Sequence, residues 1–147
     1  MSGRFRHIYP VELEAEPDGS AVNLRFPDVP GALTWGDDQA EALSLAQDCL
    51  VTALYGYVCS WEAIPKPGPP RGRPMIPVPP LVVMKLALYS AMREQGVGAA
   101  ELAQRLGVSE KVVTALLHLK RRGYLGQLEP ALAALGVELE VRVRSAA

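Results

Sequence analysis

From Tyr9 to Glu16 the chain alternates with a period of two, Tyr9, Val11, Leu13 and Ala15 standing between Pro10, Glu12, Glu14 and Glu16. This is the pattern of a β-strand with one wet face, and Pro10, which has no backbone donor, puts it at an edge or a bulge. Pro17, Asp18, Gly19 and Ser20 form a turn. Beyond it Val22, Leu24 and Phe26 alternate with Asn23 and Arg25, so the two segments read as an antiparallel hairpin. A second turn at Pro27, Asp28, Val29, Pro30 and Gly31 leads to a short third strand at Leu33, Thr34 and Trp35, closed by Gly36 and Asp37. The period then changes. Asp38 caps a helix while Glu41 reaches back in a capping-box arrangement. Ala42, Leu45, Ala46, Cys49, Ala53, Leu54 and Tyr57 recur at spacings of three and four, a stripe that buries a long helix on the sheet.

Residues 65 to 80 hold eight prolines in sixteen positions, which no helix can run through. They read as an extended joint, within which Met75, Ile76 and Val78 suit a short edge strand packed back on the first half. The expected organisation is therefore a first domain over residues 1 to 78 and a second over 81 to 147. A first domain of this size buries only about 60% of its chain surface, which favours self-association.

In the second half, residues 81 to 95 read as a helix carrying Val82, Leu86, Tyr89 and Met92, broken at Gly96 and Gly98. Residues 99 to 116 (A-A-E-L-A-Q-R-L-G-V-S-E-K-V-V-T-A-L) then resemble a helix-turn-helix of bacterial repressor type. Leu102 and Leu106 face a core, Ala103 is small where two helices cross, and Gly107 allows a left-handed turn. Val108 plugs the corner, Ser109 caps the second helix, and Val113 and Leu116 continue the core. An ordinary helical hairpin needs the same apolar spacing but not alanine, glycine and serine at these offsets. Ser109, Glu110, Lys111, Thr114, Ala115 and His118 point outward, the positions a recognition helix offers to a major groove, and Lys120, Arg121 and Arg122 suit phosphate. Residues 127 to 135 read as a further helix ended by Gly136. Val137, Leu139, Val141 and Val143 then alternate with Glu138, Glu140, Arg142 and Arg144 as a strand without a partner in this helical half. Such an edge invites a second copy, which in a homodimer or a homotetramer would set two recognition helices about 34 to 36 Å apart on a palindromic site.

Composition adds little until charge is located. Of 147 residues 49% are hydrophobic and the mean hydropathy is +0.10, enough for a buried core. No run of 18 apolar residues occurs and Met1 to Arg6 show no export-like stretch, so a cytoplasmic chain without a membrane partner is expected. Cys49 and Cys59 lack a CxxC pattern and read as buried thiols, giving no disulfide framework and no metal site. The net charge of −1 conceals a division. Residues 1 to 64 carry three basic and ten acidic side chains, a net of −7, whereas residues 65 to 147 carry twelve and six, a net of +6. A cationic surface gathers phosphate, and an anionic one attracts a basic protein.

With both halves in view the chain resembles the HicB antitoxins of bacterial HicA/HicB toxin–antitoxin pairs, in the subgroup with a carboxy-terminal helix-turn-helix. The likeness rests on F-P-D-V-P-G at residues 26 to 31, T-W-G-D at 34 to 37, E-A-L at 41 to 43, I-P at 64 and 65, and V-P-P-L-V-V-M-K-L-A-L-Y at 78 to 89. Asp38 and Gln39 depart from the family's usual threonine and glutamate, and the joint is richer in proline. The resemblance implies an α+β chain: a partial ribonuclease H-like domain of antiparallel strands and one long helix, followed by an all-α helix-turn-helix domain with a terminal strand. It implies occlusion of a small basic mRNA-cleaving HicA toxin and repression of the operon through operator double-stranded DNA. Glu12, Glu14, Asp28 and Trp35 are the residues expected to meet the toxin. No cofactor, metal or catalytic residue is implied. A ribonuclease H-like metal nuclease would need convergent carboxylates, but Glu12, Glu14 and Glu16 share one edge strand and Asp28, Asp37 and Asp38 serve turns and a cap. A stand-alone regulator whose front domain binds a ligand or dimerises is the other alternative.

Overall fold

The computed structural model describes residues 7 to 145; residues 1 to 6, where no export signal is expected, and residues 146 and 147 lie outside them. The chain divides into two compact units, Met1–Val83 and Met84–Ala147.

In unit 1 the period-two segment divides into β1 (Ile8–Pro10) and β2 (Glu12–Ala15). The break falls at Val11, whose N–H donates to Pro74 O at 2.9 Å and whose side chain is fully buried. Tyr9, Pro10 and Val11 are all buried, so the alternation that suggested one strand fails at the proline. β2, β3 (Val22–Arg25) and β4 (Leu33–Gly36) form an antiparallel sheet in that order, in which Glu12 faces Arg25, Glu14 faces Asn23 and Asn23 faces Trp35. β1 pairs antiparallel with β5 (Met75–Pro77), the edge strand expected inside the proline-rich stretch.

Helix α1 (Gln39–Cys59) packs on β3 and β4. Asp38 Oδ1 accepts from Glu41 N at 2.8 Å, the expected cap, while the Glu41 carboxylate reaches back one residue further than expected, to Asp37 N at 3.3 Å. The helix is apolar on several sides, and packing selects Ala42, Ala46, Leu50, Val51, Leu54 and Val58 for burial. Leu45 is left exposed, Cys49 half-buried and Cys59 exposed, so the expected burial of the thiols does not hold for Cys59.

The proline-rich stretch is bound to unit 1 along its length. Tyr9 Oη donates to Pro65 O at 2.6 Å, Gly68 N donates to Asp28 Oδ2 at 2.8 Å, and Arg73 Nη1 meets Glu12 Oε2 at 3.1 Å. Burial, assisted by the negative charge of Asp28, pushes the Tyr9 hydroxyl up to about 12.

Unit 2 begins within α2 (Pro80–Gln95) and continues through α3 (Ala99–Leu106), α4 (Glu110–Leu117), a 3₁₀ turn (Leu125–Gln127) and α5 (Leu128–Ala134). Leu86, Tyr89, Met92, Leu102, Val113, Leu116 and Leu132 form its core. The strand expected over residues 137 to 143 is not formed: residues 137 to 145 have neither helix nor strand. A strand is defined by its ladder, and among the described residues of this single chain no segment supplies one.

Candidate functional site

Each unit presents one surface shaped by its own elements. In unit 1, α1 covers one face of the three-stranded sheet and leaves the other open. The pairing register assigns the open face two cross-strand rows, Glu12–Arg25–Leu33 and Glu14–Asn23–Trp35. Leu33 is 69% and Trp35 58% exposed, although strand residues of this size ordinarily spend their apolar area on a core. A groove of about 680 Å³ lies over these rows. Its charge is graded. Glu12 is engaged by Arg25 and by Arg73, and Asn23 Nδ2 donates to Glu16 Oε1 at 2.6 Å, whereas Glu14 stands exposed beside them. Of the four residues expected to meet a toxin, Glu12, Glu14 and Trp35 therefore share one face. Asp28 does not join them: it sits in the turn after β3 and holds the proline-rich stretch, where a side chain on Gly68 would approach its carboxylate to 3.1 Å.

In unit 2 the two eight-residue helices α3 and α4 pack on each other, and Leu102, Ala103, Val112, Val113 and Leu116 are their buried residues. Gly107 closes α3 at φ 68°, and its N–H and that of Val108 return to the last turn of α3. Ser109 has the extended backbone of a cap, but its hydroxyl makes no capping bond, contrary to expectation. Ser109, Glu110, Lys111 and Thr114 are exposed, and the Thr114 hydroxyl donates to Glu110 O at 3.1 Å. Ala115 and His118 are half-buried. Lys120, Arg121 and Arg122 are exposed just beyond, with Leu119 buried among them as an anchor.

The residue that holds this turn was not singled out from sequence. Lys85, on α2, is completely buried, and its ammonium donates to His118 O at 2.7 Å, to Arg121 O and, at 3.4 Å, to Ala115 O. One cation thus occupies the carbonyl end of α4, where the helix dipole favours it, adds to the turn bonds that His118 N–H makes to Ala115 O and Arg121 N–H makes to His118 O, and fixes the segment that carries the three basic residues. Burial holds that ammonium below the ordinary lysine value of 10.5. His118 is held below its usual imidazole value by desolvation and then by the charges of Arg121, Lys85 and Lys120. The signal for Lys85 was its spacing: it stands three after Val82 and four before Tyr89, inside the apolar stripe of α2.

The family model for HicB-like antitoxins of bacterial toxin–antitoxin systems matches residues 8 to 87, more than half of the chain. The chain belongs to the HicB antitoxin family. Antitoxin HicB 2 of Photorhabdus laumondii is 38% identical over 141 residues, covering 96% of this chain and 98% of its own length. Antitoxin HicB of Escherichia coli is 36% identical over 134 residues, covering 90% and 96%, and antitoxin HicB of Pseudomonas fluorescens is 32% identical over 148 residues, covering 99% and 100%. The HicB family model ends at residue 87, whereas similarity to these HicB relatives continues through unit 2. Both surfaces therefore belong to a chain that is HicB-like over nearly its whole length.

Proposed function

We propose that the chain neutralises a small basic HicA-type toxin, an mRNA-cleaving ribonuclease, by laying the open face of the β2–β3–β4 sheet over it, and that unit 2 represses the operon by holding operator DNA. The observation that carries this reading is the exposed Trp35 on one cross-strand row with Glu14, in the half of the chain with a net charge of −7. A protein that grips RNA is cationic, and an aromatic anchor beside an exposed carboxylate is what such a partner is bound by. Unit 1, three antiparallel strands with one long helix on one face, is read as a truncated ribonuclease H-like domain. In unit 2, α3 and α4 are read as a helix-turn-helix. Ser109, Glu110, Lys111 and Thr114 offer the start of α4 to a major groove, Ala115 and His118 are less accessible, and Lys120, Arg121 and Arg122 take phosphate. Two copies meet on the operator through residues 137 to 143.

The test is co-expression with a HicA-type toxin, the small basic protein that this reading expects in the adjacent reading frame. Glu14→Arg together with Trp35→Ala is expected to abolish co-purification and protection of growth while leaving operator binding intact. Lys111→Ala and Thr114→Ala are each expected to weaken operator binding by about 1–3 kcal/mol where they contact bases, without loss of protection. Unchanged co-purification of the Glu14/Trp35 variant would place the toxin on another surface.

A further inference from the structure

Residues 137 to 145 read V-E-L-E-V-R-V-R-S, with apolar side chains at every odd position up to Val143 and charged ones at every even position. The apolar series is open to solvent, Val141 being 73% and Val143 92% exposed. Arg142 and Glu140, two positions apart, meet at 3.5 Å, so neighbouring members of the charged series lie on one side. A segment with this alternation and no ladder is completed by another strand, and the order of its charges selects which one.

The acids come first and the arginines second. A second copy laid antiparallel about Val141 puts Glu138 opposite Arg144 and Glu140 opposite Arg142 on one face. On the other face Leu139 meets Val143 and Val141 meets its own copy. No other register does this. A slip by one residue sets charged side chains against apolar ones, and a slip by two brings Glu140 onto Glu140 or Arg142 onto Arg142. A parallel, in-register copy faces every charge with its like. Opposite charges directly across a ladder stabilise it and like charges destabilise it. We propose that residues 138 to 144 are a self-complementary strand, two copies of the chain pairing antiparallel across a two-fold axis at Val141. The proposal rests on the reading that two copies meet through this segment and fixes their register.

The test is sedimentation of the full chain carrying Glu140→Arg, Arg142→Glu, or both. Each single change reverses half of the cross-strand ion pairs and is expected to weaken self-association about tenfold. The double exchange restores it, and mixing the two single variants restores it as a heterodimer. In a chain with Cys49→Ser and Cys59→Ser, Val141→Cys is expected to form an interchain disulfide on mild oxidation, whereas Leu139→Cys, which faces Val143, is not. A dimer indifferent to both single changes and not crosslinked through position 141 overturns the register while leaving two-copy binding standing. A wild-type chain that is monomeric both free and on operator DNA overturns both.

Discussion

Lys85 shows how a single buried charge can serve a surface it never reaches. Its ammonium is fully enclosed, yet its acceptors are the carbonyls of the turn that presents Lys120, Arg121 and Arg122. Lys85→Met keeps the apolar stem and removes the donor, depriving Arg121 O of its ammonium partner and leaving His118 O with the Arg121 N–H alone, so unfolding of unit 2 in urea at neutral pH is expected to become easier by about 1–3 kcal/mol. The pH dependence has a definite sign. Because burial lowers the folded-state value, the unfolded chain holds the proton longer, and the contribution of Lys85 to stability rises as pH climbs towards 10.5. The gap between wild type and Lys85→Met, followed by urea titration at several alkaline pH values, should therefore widen with pH; a constant or narrowing gap would show that the cost of burying this charge does not set its proton affinity. Residues of this kind are hard to read from a chain. Asp38 was legible because its acceptor role is settled three residues away at Glu41, whereas Asp28 acts on Gly68 and Tyr9 on Pro65, partners 40 and 56 positions distant.

At the scale of elements, the contact of β4 with α1 turns on one glycine. Gly36 ends β4 under the first turn of α1, where an added Cβ would lie 2.5 Å from Ala42 N and 3.0 Å from Ala42 Cα. Both are backbone atoms that no rotamer change can move. Gly36→Ala is therefore expected to lower the thermal stability of unit 1 by about 1–3 kcal/mol through overpacking, while Gly19→Ala, in open space, registers only the strain of its positive φ. Gly36 is not among the glycines at positive φ, so its loss reports the contact with α1, and a Gly36→Ala chain as stable as wild type would remove that contact as a constraint. The sheet and the helices were legible where period and turn chemistry agree locally, as in the β2–β3 hairpin and at Gly107. The buried stripe of α1 was only half legible, because so many of its positions are apolar that only the sheet beneath decides between Leu45 and Leu50. The open sheet face was legible as acidic residues on one strand. Trp35 was named with those acids from the sequence, whereas Leu33 joined them only through the register with β3, which sets both on the side away from α1.

At the scale of the whole molecule, the division of charge between residues 1 to 64 and 65 to 147 makes the two proposed activities separable by salt. Phosphate contacts release condensed counterions, so the logarithm of DNA affinity falls linearly with the logarithm of salt, with a slope near −0.9 per phosphate neutralised. Arg121 and Arg122 are exposed on the turn held by Lys85. Changing either to alanine is expected to flatten that slope by about one and to weaken operator and unrelated duplex alike, since neither side chain reads a base. Toxin binding follows different physics: Trp35 and Leu33 supply apolar area that salt does not screen, while Glu14 adds an attraction that fades over a Debye length of about 10 Å at 0.1 M salt. Raising salt from low to physiological strength should therefore cost DNA affinity orders of magnitude and toxin affinity much less. Residues in separate units that share no partner add independently, so Arg121→Ala combined with Trp35→Ala should show each single defect undiminished in its own assay and nothing more. A DNA defect deepened by Trp35→Ala, or a toxin defect deepened by Arg121→Ala, would mean that the acidic and basic halves do not work as separate devices.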